Sequence, residues 1–68
     1  MEKAVEEFKI AIKQMSDYPE PYYNLAVTLT DMSRGDEAVS YYERFIEIAP
    51  DGYDEMKGQA MLNLRRLE

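Results

Sequence analysis

The serines are the first residues to consider for chemistry, because the sequence contains no histidine and no cysteine. A serine nucleophile needs an adjacent general base, and histidine most often fills that role. Ser16 and Ser33 stand where helix ends need polar caps, and Ser40 lies on a helical face with no evident base. The pattern favours structural roles for all three serines.

Pairs of carboxylates are the other groups that could transfer protons. They are Glu6 and Glu7, Asp36 and Glu37, and Asp54 and Glu55. The second and third pairs begin predicted helices, where the helix dipole favours negative charge, and the first is explained by a solvated face. Asp51 lies near the third pair, but the ordered ligands of an EF-hand loop are missing. We expect no enzyme, no metal and no cofactor.

The charge balance bears on the partners. The chain has 8 basic and 14 acidic residues, a net charge of −6, which a nucleic acid duplex or an anionic membrane surface would repel. No window contains the roughly 18 apolar residues that a membrane span requires. Residues 1–7 begin an amphipathic helix and not a signal peptide. We expect no nucleic acid and no membrane, and either a cytosolic chain or one whose targeting segment has been removed.

Four helical segments must position any site, and three short breaks separate them. The breaks are 16–21, 33–36 and 49–52. The prolines of the first break disfavour helix just before them, and the second offers Gly35 as a C′ glycine and Asp36 as an N-cap. Short gaps predict antiparallel neighbours. No alternating run indicates a strand, so the sequence predicts one all-α domain.

Each segment carries an apolar stripe at helical spacing. The stripes are Ala4, Val5, Phe8, Ala11, Ile12 and Met15; Tyr22, Leu25, Ala26 and Leu29; Ala38, Val39, Tyr42, Phe45, Ile46 and Ala49; and Tyr53, Met56, Ala60, Leu64 and Leu67. The first stripe returns in the third segment at a spacing of 34 residues, with Ala4 matching Ala38 and Phe8 matching Tyr42. That period is typical of a helix-turn-helix repeat.

One unit resembles a tetratricopeptide repeat (TPR). Its early aromatic, leucine, two small residues, second aromatic and closing proline are supplied in order by Tyr22, Leu25, Ala26, Ala38, Tyr42 and Pro50. Leu29 stands where the family favours tyrosine, and Phe45 where it favours alanine. A bulky ring at position 45 must be accommodated at a close helix contact.

The resemblance covers nearly the whole chain and implies an antiparallel helix-turn-helix solenoid of about four helices. Residues 2–16 would be the second helix of a partial repeat, 19–50 a complete repeat, and 52–67 a capping helix with a polar outer face. Candidates for that face are Glu55, Lys57, Gln59, Asn63, Arg65 and Arg66.

The first helix of a TPR unit lines a concave groove that binds extended or helical peptides. The corresponding positions are Glu20, Tyr23, Asn24, Val27, Thr30 and Asp31. Tyr23 and Val27 offer apolar surface, and Asn24 matches an asparagine that holds peptides in some members of the family. A clamp for acidic peptides needs basic residues where this chain has Asp54 and Gly58, so the ligand is expected to be neutral to basic.

Self-assembly is the alternative, because the first helix lacks the partner that a full repeat would place on its far side. The residues at risk of exposure are Ala4, Phe8, Ile10 and Ala11. A second copy, or a preceding repeat in a longer chain, could cover them. The sequence thus predicts a non-catalytic protein–protein interaction module. If it binds a peptide, Tyr23→Ala abolishes capture with thermal stability nearly unchanged; if it assembles, melting depends on concentration.

Overall fold

The computed structural model describes residues 2–67, and these form four α-helices with no strand among them. The helices are α1 (Glu2–Gln14), α2 (Pro19–Asp31), α3 (Gly35–Ile48) and α4 (Asp54–Leu67). The predicted all-α class and the number of helices are confirmed. None of the four is both long enough and apolar enough to span a bilayer.

Each helix packs on the next along the chain, and contacts at their ends show the direction in which they run. Glu2, at the start of α1, pairs with Arg34, just after the end of α2, with 2.8 Å between Oε2 and Nη1. Leu67, at the end of α4, covers Gly35 at the start of α3. The ring of Tyr23, near the start of α2, lies against that of Phe45, near the end of α3. Neighbouring helices are therefore antiparallel, and α2 runs parallel to α4.

The first break ends at Pro19, which is the first residue of α2. Tyr18 before it is extended, with φ −87° and ψ 121°, as expected for a residue that precedes proline. Glu20 also precedes a proline, Pro21, but is helical, so the expectation was wrong there. The first-turn N–H groups have no partner within a helix, so proline removes no hydrogen bond at these positions.

The second break is closed by Ser33 and not by the predicted glycine. Ser33 has a left-handed φ of 61°. Its N–H donates to the carbonyl of Thr30 (3.0 Å), and the N–H of Arg34 donates to that of Leu29 (2.8 Å). These two bonds are the Schellman pattern, in which Ser33 occupies the C′ position that glycine usually takes.

Gly35 is instead the first residue of α3, and Asp36 follows it inside the first turn, so neither has the capping role predicted for it. The physical reason for a small residue at position 35 is packing. A Cβ atom on Gly35 would lie 2.5 Å from Cδ2 of Leu67. The glycine thus lets the end of α4 close over the start of α3.

Replacing Ser33 with glycine is expected to raise the free energy of unfolding by about 0.5–1 kcal/mol, because glycine adopts the left-handed conformation without a Cβ clash. Urea denaturation followed by circular dichroism measures the change. The matched control is Ser40→Gly on the exposed side of α3, which should lower stability by up to about 1 kcal/mol. A loss of stability in Ser33→Gly would contradict the assignment.

The third break follows the chemistry of proline and glycine. Ala49 is extended before Pro50, with φ −68° and ψ 125°, which ends α3. Gly52 then takes a φ of 105°, and the N–H of Tyr53 donates to the carbonyl of Pro50 (3.3 Å). This turn reverses the chain so that α4 can begin at Asp54.

The core is centred on the contact between α2 and α3. The fully buried hydrophobic residues are Leu25, Ala26, Leu29, Ala38, Tyr42, Phe45 and Ala60, with Val5, Tyr22 and Ala49 nearly so. All but two of these belong to α2, α3 or the end of α3; α1 contributes Val5 and α4 contributes Ala60. Ala26 and Ala38, the two small residues of the TPR resemblance, are both fully buried here.

Candidate functional site

The N-termini of α2 and α4 are joined by a hydrogen bond. The hydroxyl of Tyr53 donates to Oε1 of Glu20 at 3.2 Å. Desolvation raises the pKa of Tyr53, and the bond to the Glu20 carboxylate raises it further. The phenol therefore stays protonated at neutral pH and can donate. Because the two helices are parallel, this bond places their first turns side by side.

A row of aromatic rings lies beneath these first turns. The ring centroid of Tyr23 is 6.3 Å from that of Tyr42 and 5.2 Å from that of Phe45. Phe45 is in turn 6.2 Å from Tyr53, edge to face. These separations lie within the range of about 4.5–7 Å that favours aromatic pairs. The row, made of Tyr42, Tyr23, Phe45 and Tyr53, accommodates the bulky side chain at position 45, which is fully buried.

A groove of about 530 Å³ opens between α2 and α4. We call it the α2–α4 groove; its lining residues are Tyr23 from α2 and Asp54, Glu55, Met56, Gly58 and Gln59 from α4. Its volume is within the range of sites that bind small ligands, roughly 300–1,000 Å³. The half-buried side chains of Tyr23 and Met56 supply apolar surface, while exposed carboxylates stand at its edge. It offers contact surface and hydrogen bonds, with no nucleophile paired to a base.

One of the six predicted peptide-binding residues lines the groove, and a second lies next to it. Tyr23 lines it. Glu20 does not line it, but its carboxylate accepts a hydrogen bond from Tyr53, the residue before Asp54 of the groove wall. Both belong to the first turns of α2, at the end where this helix meets the start of α4.

The other four predicted residues lie on α2 but do not line the groove. Asn24 and Asp31 are exposed, and Val27 is half-buried against the core. The hydroxyl of Thr30 donates to the carbonyl of Ala26 at 2.8 Å. This bond occupies the Thr30 hydroxyl within its own helix, as is common for threonine in a helix interior.

Most of the lining was missed because it comes from α4. The sequence pattern assigns Asp54 to the first turn of a helix, and the resemblance marks Asp54 and Gly58 as positions that lack the basic residues of an acidic-peptide clamp. Glu55, Gly58 and Gln59 are spaced by one helical turn and therefore share a side of α4. That spacing was a usable signal, but it identifies a site only once α4 is known to lie beside α2.

The prediction that Asn63 belongs to the polar outer face of α4 is wrong. This side chain is half-buried, and its Nδ2 donates to the hydroxyl of Tyr42 at 3.2 Å. Asn63 follows the buried Ala60 by three residues, so it shares the face that packs on α3. Lys57 is also half-buried, whereas Arg65 and Arg66 are exposed as predicted.

The residues proposed for self-association are only partly exposed. Ala4, Phe8 and Ala11 are half-buried, and Phe8 packs against the core. Ile10 points away from the stripe and is 55% exposed. The packing of α1 on α2 thus covers part of the stripe, and Ile10 is the most exposed of the four.

Ion pairs lie outside the groove. In the part of the chain that the structure describes, they join Arg34 to Glu2 and Glu37, and Arg44 to Glu47. The bond from Arg34 lowers the pKa of Glu37, and its two carboxylate partners raise the pKa of Arg34. Within residues 2–67, no cluster of three or more carboxylates is arranged to hold a metal ion.

In comparisons with known proteins, no family model, no curated protein and no solved structure matches this chain. The resemblance to the TPR family therefore rests on the residue pattern.

Proposed function

We propose that this chain is a non-catalytic protein–protein interaction module of the TPR type, which binds a peptide segment in the α2–α4 groove. The observation that supports the proposal is the groove itself, which combines an aromatic ring, a thioether, an amide and two carboxylates. It lies between the first helix of the proposed complete repeat and the helix that follows that repeat. The resemblance implies a concave peptide-binding surface at this location.

Filling the groove should abolish binding without unfolding the protein. Gly58→Gln places a side chain in the groove, and glutamine is a better helix former than glycine. We expect the native protein to select peptides from a random library, and Gly58→Gln to capture none of them. Ser40→Gln, which adds the same side chain to the exposed side of α3, should retain capture. Selected peptides that bind Gly58→Gln as tightly as the native protein would refute the proposed location.

Tyr23→Ala is a poor test of binding, contrary to the expectation from sequence. The ring of Tyr23 packs against both Tyr42 and Phe45. Its removal would expose part of the core, so the variant should lose thermal stability as well as capture. A change at Gly58 separates binding from folding more cleanly.

Self-assembly remains the second candidate function, because large apolar side chains are exposed at both ends of the helix series. Ile10 and Met15 are 55% and 52% exposed near α1, and Met61 is 52% exposed on α4. If these surfaces bind a second copy, sedimentation should show a mass above one chain that Ile10→Lys restores to one chain. A single-chain mass at every concentration would exclude this candidate.

A further inference from the structure

Gly58 has no packing role within the chain. It lies in the interior of α4 and is exposed, and a Cβ atom built on it would meet no atom within 4 Å. Glycine in a helix interior costs roughly 1 kcal/mol relative to alanine. The residue thus weakens α4 and leaves the wall of the α2–α4 groove open, which allows the backbone of a bound segment to approach closely.

The groove is acidic at the end where the two helices begin. Asp54 and Glu55 line it, and the carboxylate of Glu20 on α2 is bonded to Tyr53, the residue before Asp54. Among the ion pairs within residues 2–67, none includes these three carboxylates. Acidic residues in a first turn stabilise their own helix, and here they also add negative charge beside the groove.

The remaining lining suits the rest of a long cationic side chain. The half-buried ring of Tyr23 can attract a cation over its face. Met56 offers a flexible apolar surface along which an aliphatic stem can lie. Gln59 provides an amide that can bond to a peptide backbone. The apolar wall suits the aliphatic stem of lysine or arginine, and the acidic edge suits its charge. A neutral or an acidic side chain would match only the wall.

We infer that the occupant of the α2–α4 groove is an extended basic segment of a partner protein, with a lysine or arginine side chain directed to Tyr23, Asp54 and Glu55 and its backbone passing over Gly58. The inference rests on the proposed function and adds to it the charge and the position of the ligand.

The test uses short end-blocked peptides that share one framework and carry lysine, glutamine or glutamate at the same positions. Binding to the full chain is followed by amide chemical shifts, which report on Tyr23, Met56 and Gly58 individually. The lysine peptide should shift these resonances and bind more tightly than the glutamine peptide, and added salt should weaken it. The glutamate peptide should leave them unchanged.

Two variants locate the contact. Asp54→Asn combined with Glu55→Gln should weaken the lysine peptide roughly three- to tenfold at low salt, given the strength of exposed charge pairs. Gly58→Ala should weaken it too, although this change stabilises α4, so the loss cannot be due to unfolding. Glu43→Gln, which removes an exposed carboxylate from α3, is the matched control and should have little effect.

Equal binding of the lysine and glutamate peptides in the groove would overturn the inference and leave the proposed function standing. Failure of the lysine peptide to shift the groove resonances would also overturn it. In that case the library selection with Gly58→Gln decides the proposed function independently, since that selection makes no assumption about charge.

Discussion

Phe45→Ala is expected to lower the free energy of unfolding by about 3–5 kcal/mol, the usual cost of removing a fully buried phenylalanine. The ring is 0% exposed and lies between Tyr23 of α2 and Tyr53 before α4. Its loss opens a cavity where three elements meet. A single small core supplies only about 3–5 kcal/mol in total, so most of the variant should be unfolded at room temperature.

The expectation opposes what the family pattern alone suggests, since TPR units favour alanine at this position. Thermal and urea denaturation followed by circular dichroism measure the change. Ile10→Ala is the control, because its side chain is 55% exposed and its removal should alter stability by no more than about 0.5 kcal/mol. A Phe45→Ala protein that melts cooperatively at the same temperature as the native protein would show that the ring is dispensable.

The sequence predicted the centre of the fold well, because local signals there agree with one another. Proline and glycine at positions 50 and 52 end α3 and turn the chain, and the small residues Ala26 and Ala38 fall on facing stripes. Each signal acts over a few residues: the structure shows the turn at positions 50–52, and both alanines are fully buried. Local signals failed at the second break. Ser33 takes a left-handed conformation there, which is rare for serine and which no residue pattern predicts.

The repeat predicted residue types better than residue environments. Ala4 and Ala38 occupy equivalent positions, as do Phe8 and Tyr42, yet the first member of each pair is half-buried and the second is fully buried. The difference follows from neighbours: α3 packs against both α2 and α4, whereas α1 packs against α2. Equivalent residues are buried equally only where equivalent helices cover them.

The groove was harder to predict than the core because it depends on a contact between distant parts of the chain. The α2 positions could be inferred from the family resemblance, but four of the six lie away from the groove. Its remaining wall is supplied by α4, which packs on α3 and is bonded to α2 through Tyr53 and Glu20, 33 residues apart. Helical spacing within α4 groups Glu55, Gly58 and Gln59, but no local pattern says which helix they face.

The packing of α2 on α3 forms most of the core and fixes the position of Tyr23 in the groove. Ala38→Leu tests this packing. Ala38 is 0% exposed, so three added heavy atoms have no free space and must displace a helix or force strained rotamers. Overpacking of this kind costs about 1–3 kcal/mol. Urea denaturation should show that loss, whereas Ser40→Leu on the exposed side of α3 should change stability by no more than about 0.5 kcal/mol.

The same substitution should also weaken peptide capture in the fraction that remains folded. Tyr23 lines the groove and packs on Tyr42 and Phe45 of α3, so moving α3 away from α2 shifts one wall of the groove relative to the other. Chemical shifts of folded Ala38→Leu should therefore change at Tyr23 and Met56 as well as around position 38. If the variant kept native stability and native shifts at both residues, the close approach of α2 and α3 would not be what holds the groove in shape.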